Sequence, residues 1–129
     1  MTQLSTAPRE RSERSPALAS IERPIDLVHL ARMTLGDRSL EREVLELFDR
    51  QAMLLMQRMV AAPVEAVPAL AHTLKGSARA IGAAHVARAA EALEVVSPSD
   101  AGARARALAA LGTVTQQARA FIADLLRAH

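Results

Sequence analysis

Between residue 24 and the C-terminus, apolar side chains recur every three or four positions, and the runs are cut by helix breakers: Gly36-Asp37, Pro63, Gly82 and Ser97-Pro98. A three-to-four period places the apolar residues on one face of an α-helix and on both faces of a strand. Alanine and leucine dominate, β-branched residues are few, and only Phe48 and Phe121 are aromatic, a balance that favours helix over strand. The spacing predicts a short helix over residues 25–34, with Pro24 and Asp26 suited to its first turn. Longer helices are expected over 39–61, 65–81, 84–96 and from 99 or 100 to 127. Pro68 must fall in the first turn of the third of these five, and Gly82 is suited to cap its end.

The apolar stripe expected on the 39–61 helix is Leu40, Val44, Leu47, Phe48, Leu54, Leu55 and Met59. On the 84–96 helix it is Val86, Ala89, Ala90, Leu93 and Val96. On the last it is Leu108, Leu111, Thr115, Ala118, Ile122 and Leu125, joined by Phe121. Four long amphipathic helices with short connections imply an all-α fold, an antiparallel four-helix bundle with a short extra N-terminal helix. Residues 24–129 are expected to form this one domain. Residues 1–23 hold Pro8, Pro16, serines and Arg/Glu pairs and are expected to be a disordered tail.

Several function classes are disfavoured. Without cysteine there is no disulfide and no thiolate chemistry. The longest charge-free stretch, residues 107–118, is too short for a membrane span, which needs about 20 residues. The charged residues at the N-terminus do not resemble a secretory signal, and a cytoplasmic location is expected. The net charge is +2, with arginines and carboxylates interspersed. No basic stripe with stacking aromatics is visible, so no nucleic-acid partner is expected. His29, His85 and His129 have no helical partner at metal-ligand spacing. Met53, Met56 and Met59 read as core and groove filler.

One lysine, Lys75, stands among fifteen arginines. A compact, mobile ammonium rather than a rigid guanidinium fork is wanted there, one helical turn from His72. At about 100° per residue, with His72 at zero, Leu70, Leu74, Ile81 and Val67 cluster between about 160° and 220°, the core side. His72 therefore faces outward, with Lys75 and Arg79 flanking it and Gly76 one turn away. A neutral imidazole is a competent nucleophile toward phosphorus, and an adjacent ammonium can hold the resulting phosphoryl group. Gly76 leaves room for a phosphoryl group and a docking protein, at a cost to the helix of about 0.5–1 kcal/mol relative to alanine. Ser77 points toward the core side and is expected to pack. Gln51 is a candidate to hydrogen-bond the second ring nitrogen of His72 and fix its tautomer.

The string His72-Thr73-Leu74-Lys75-Gly76-Ser77-Ala78-Arg79, followed by Ile81-Gly82-Ala83, closely resembles the motif of histidine-containing phosphotransfer (HPt) domains. Gly36-Asp37, Leu47-Phe48 and Ala90-Glu91-Ala92-Leu93-Glu94 match the same family's pattern, and the resemblance extends over residues 25–126. It implies a four-helix bundle with His72 as the phosphorylated residue, Lys75 as the phosphate-side cation and Gly76 as the clearance residue, with Arg79 assisting at longer range. It implies as partners the aspartates of receiver domains, in response regulators and a hybrid histidine kinase, one giving the phosphoryl group and another taking it. Mg²⁺ would be supplied by the receiver during transfer, and no cofactor is expected on this chain.

No Gly-x-x-x-x-Gly-Lys loop is present, so a phosphocarrier without autonomous kinase activity is expected. A monomer is expected too. Docking is expected around His72, on Ala69, Gly76 and Ala83, with exposed apolar residues such as Leu35 completing the patch. The alternative is a helical adaptor that binds a receiver or kinase without being phosphorylated. A third reading, a small-ligand binder with a core cavity, has no support in the alanine-rich pattern.

Overall fold

The computed structural model describes residues 23–128. The tail expected over residues 1–23 lies, apart from Arg23, outside the described residues, as does His129. All regular elements in the described part are helical: α1 (Leu27–Met33), α2 (Arg38–Ala61), a 3-10 turn (Val64–Ala66), α3 (Val67–Ile81), α4 (Ala84–Glu94) and α5 (Ala101–Ala128). The expected all-α fold is present. Around the core, α2 packs on α3, α3 on α4, α4 on α5, and α5 back on α2, while α1 rests against α3.

The ends of the helices follow their caps. Asp26 sits before α1 rather than in its first turn, and its carboxylate accepts from the backbone N–H groups of Val28 and His29 at 3.1 and 3.2 Å. Asp37 accepts from Leu40 N–H at the start of α2, and Asp100 from Ala103 N–H at the start of α5. The third predicted helix began at residue 65; a 3-10 turn occupies 64–66 instead, and α3 starts at Val67 with Pro68 in its first turn. Gly82 caps α3 with φ +87°, and Ala83 N–H returns to Ala78 C=O at 2.8 Å. A side chain at Gly82 would also press within 3.1–3.2 Å of His29 and Asp26.

The core is aliphatic. Leu74, Ile81, Leu93, Leu111 and Ile122 are fully buried, and alanines 52, 71, 78, 90 and 118 let the helices come together between them. Burial of each large aliphatic side chain contributes about 1.5–3 kcal/mol, an upper estimate. The stripe on α5 matches the expected one. On α2 the buried face is Leu45, Phe48, Ala52, Leu55 and Met59, whereas Leu40, Leu47 and Leu54 are exposed. More apolar residues lie on α2 than one face can hold, and the true stripe runs at steps of three and four through a small residue, Ala52. Of the leucines left over, Leu47 borders the groove between α2 and α3. On α4, Val86, Ala90 and Leu93 are buried as expected and Ala87 joins them, while Ala89 is half-buried; the helix ends at Glu94 rather than at 96, so Val96, also half-buried, lies beyond it.

α1 is fastened to the far end of α3. His29 Nε2–H donates to Ala80 C=O at 2.8 Å, and Asp26 N–H donates to Gly82 C=O at 2.9 Å. A histidine without a functional signal in the sequence thus holds the N-terminal helix in place.

Candidate functional site

His72 projects from the middle of α3 with 66 % of its side chain exposed. The imidazole stands clear of the core, as the helical wheel requires. Its Nδ1 lies 2.8 Å from Oε2 of Glu94, the last residue of α4. An ionised carboxylate can only accept, so Nδ1 carries the proton and donates. The lone pair then resides on Nε2, toward solvent.

The same carboxylate holds the lysine. Lys75 Nζ lies 2.7 Å from Glu94 Oε1, and only 13 % of the Lys75 side chain is exposed. At that separation the ammonium and the carboxylate form a close, largely desolvated ion pair. Lys75 keeps Glu94 below its ordinary glutamate value; His72 acts in the same direction, and partial burial opposes them. One turn further along, Arg79 Nη2 donates to Glu91 Oε1 at 3.1 Å, with both side chains well exposed. Arg79 thus lies beside the site, engaged by Glu91.

These pairings follow from the α3–α4 hairpin. The connection Gly82-Ala83 folds α4 back along α3, so residues far apart in sequence meet across the two helices. Arg79, three residues before Gly82, and Glu91, eight after Ala83, meet through the long arginine side chain; His72, ten before, and Glu94, eleven after, are nearly symmetric about the turn. That symmetry, together with Glu91 and Glu94 sharing one face of α4, is the signal by which Glu94 is readable from the sequence. As a pattern match alone its role is missed.

Gln51 is not the partner of the second ring nitrogen, because Nδ1 is held by Glu94. Gln51 instead lines a groove of about 180 Å³ between α2 and α3, with Met33, Val44, Leu47, Phe48, Ser77, Ala80 and Ile81. Ser77 is half-buried there. Among the described residues, no group of three histidine, cysteine or acidic side chains is arranged to hold a metal ion.

Gly76 has no packing reason to be glycine. A Cβ built there meets nothing within 4 Å, so the position is not closed by a neighbouring helix. Gly76→Ala should stabilise the isolated chain by about 0.5–1 kcal/mol in urea unfolding while slowing any partner that approaches over it. A loss of stability would mean the site is tighter than this.

The family model described as Hpt domain matches residues 38–128. The chain belongs to the Hpt domain family. No curated protein and no solved structure matches it. Membership assigns it to phosphotransfer in two-component phosphorelays, in which Hpt domains act with receiver domains as phosphocarriers rather than as kinases. The match begins at Arg38, so α1 and the turn leading into α2 lie outside it, although the resemblance in the sequence had extended back to residue 25. Among the described residues no helix is long and apolar enough to cross a membrane.

Proposed function

We propose that His72 accepts a phosphoryl group from the aspartyl phosphate of one receiver domain and passes it to the aspartate of another. The observation that carries this reading is the orientation of the imidazole: Nδ1–H is tied to Glu94 and Nε2 is left open on an exposed face. In-line attack by the Nε2 lone pair on phosphorus forms the N–P bond. The P–O bond to the donor breaks, and its aspartate leaves as a carboxylate. Positive charge grows on the ring as the N–P bond forms, and the Glu94 anion beside Nδ1 stabilises it. Transfer onward reverses these changes on a second receiver. Mg²⁺ belongs to the receiver's carboxylates in this scheme.

Lys75 acts after the phosphoryl group arrives. The new anion competes with Glu94 for the ammonium one turn away. Lys75→Ala should shorten the lifetime of the phosphorylated chain by about three- to tenfold. The check is loss of label from the purified phosphoprotein over time; an unchanged lifetime would remove this role.

The test of the whole reading is incubation with receiver domains charged by acetyl phosphate. Label should move to this chain in an acid-labile form and move on to an uncharged second receiver. If no receiver from the source organism labels the chain, the adaptor reading takes over.

A further inference from the structure

The turn that closes α1 carries a leucine where the backbone favours glycine. Leu35 is the sole non-glycine residue with positive φ among the described residues, at +55°, and it is 92 % exposed. It occupies the left-handed position of a helix end: Leu35 N–H reaches Arg32 C=O at 3.3 Å, and Gly36 N–H reaches Ala31 C=O at 2.9 Å. Backbone alone makes those bonds, and glycine would make them without the steric cost that a left-handed φ imposes on leucine. The side chain gains nothing for its own fold in exchange, since it stays in water. Strain that local structure does not require points to function.

What lies beside the turn says which function. Gly36 edges a hollow of about 380 Å³ at the end of the bundle. Leu30 and Leu45, both buried, form its floor, and the half-buried Leu27 and Leu125 form its walls. No residue of α3 or α4 lines it. This end therefore stands apart from the elements that carry His72, Lys75 and Glu94, and Leu35 is not placed in the patch expected around His72. Arg38 and Glu41, opposite charges within one turn of α2, complete the rim. Thr34 Oγ1 lies 3.4 Å from Glu41 Oε2, which keeps that carboxylate next to the turn. A projecting leucine and a leucine-lined hollow thus sit side by side on one surface.

We propose that this end of the bundle is a self-association surface: two copies meet about a two-fold axis, each inserting Leu35 into the hollow of the other. Knob and hollow on one patch make a surface complementary to itself, which is what an isologous contact requires. An axis beside the turn also brings Arg38 of each copy to Glu41 of the other, so opposite charges face across the contact. The monomer expected from the sequence is revised accordingly. Only the turn and the helix ends take part, so the dimer is weak and concentration-dependent rather than obligate. His72 of both copies stays open, and the dimer does not depend on the phosphotransfer reading.

The test is sedimentation equilibrium of the full chain from about 1 μM to about 1 mM, the range of weak association. The wild type should pass from monomer to dimer within it. Leu35→Gly and Leu35→Asn remove the knob and suit a left-handed backbone. Symmetry removes two knobs per dimer, so a loss of about tenfold for each leucine becomes about a hundredfold in the dimer dissociation constant. Leu35→Met, an apolar knob of similar volume, should keep that constant within about threefold of wild type. At low concentration, where monomers prevail, the glycine and asparagine variants should melt at the wild-type temperature or a few degrees above it, because strain is relieved. Stability and association thus part company, which a structural leucine would not produce.

A wild type that stays monomeric through the whole range overturns the proposal; transfer from a charged receiver that is then slowed in both variants gives the leucine to a receiver contact. A dimer of undiminished strength in both variants places the interface elsewhere and overturns it too. A weaker dimer together with a lowered melting temperature of the monomer overturns it in favour of a structural leucine.

Discussion

His72→Gln is expected to abolish labelling by every charged receiver and leave the bundle folded. The ring contributes nothing to the core: two thirds of it is exposed, and its one polar partner is Glu94 at the surface. Loss of that contact should change stability by about 1 kcal/mol or less. Glutamine keeps a similar size and polarity but has no nitrogen lone pair able to attack phosphorus, so transfer should drop to background rather than merely slow. Circular dichroism and a urea titration report the fold; radiolabel transfer reports the chemistry. Among the other histidines described, His29 uses Nε2 on Ala80 C=O and His85 is half-buried, so neither offers a ready substitute. Label retained in the variant would place the nucleophile elsewhere and overturn the site.

The outward face of His72 was legible because α3 carries a clean stripe. Val67, Leu74, Ala78 and Ile81 leave one solution for which side is buried. α2 has no such clarity: with leucines at 40, 45, 47, 54 and 55, several stripes fit the period, and packing against α3 and α5 chose the one through Ala52. That choice pushed Leu47 outward and made the apolar lip of the groove.

Helix starts slipped by one or two residues where a carboxylate cap or a 3-10 turn precedes the helix, since capping depends on backbone angles that periodicity does not encode. The left-handed φ of Leu35 was hidden for a related reason. Gly36 beside it already explained the turn. The Glu94 contact was the largest omission. It joins residues 22 positions apart, and it exists because the α3–α4 hairpin brings the end of one helix back to the middle of the other.

Glu94→Gln should lower the rate of phosphoryl transfer by about ten- to a hundredfold, the range for losing a hydrogen bond to a charged group. Two effects combine. The neutral amide stabilises the developing imidazolium less than a carboxylate does. It can also turn its NH₂ toward Nδ1, which favours the tautomer that puts the proton on Nε2 and blocks attack. At the same time Lys75 loses its ion-pair partner and becomes free to hold a phosphoryl group. The phosphorylated variant, once formed, should therefore persist at least as long as wild type, so formation and lifetime part company.

Acid titration supplies an independent check on Glu94. The carboxyl of Glu94 is held below its ordinary value of 4.5 in the folded chain, first by Lys75. A group with a lowered folded pKa stabilises the fold fully above the unfolded value, and loses that contribution as pH falls through the folded one. Wild type should thus lose stability below pH 4.5 in a way that Glu94→Gln does not, and Lys75→Ala should show a smaller loss than wild type. If transfer by Glu94→Gln is as fast as wild type, Glu94 is a surface ion pair and the tautomer of His72 is set by water alone.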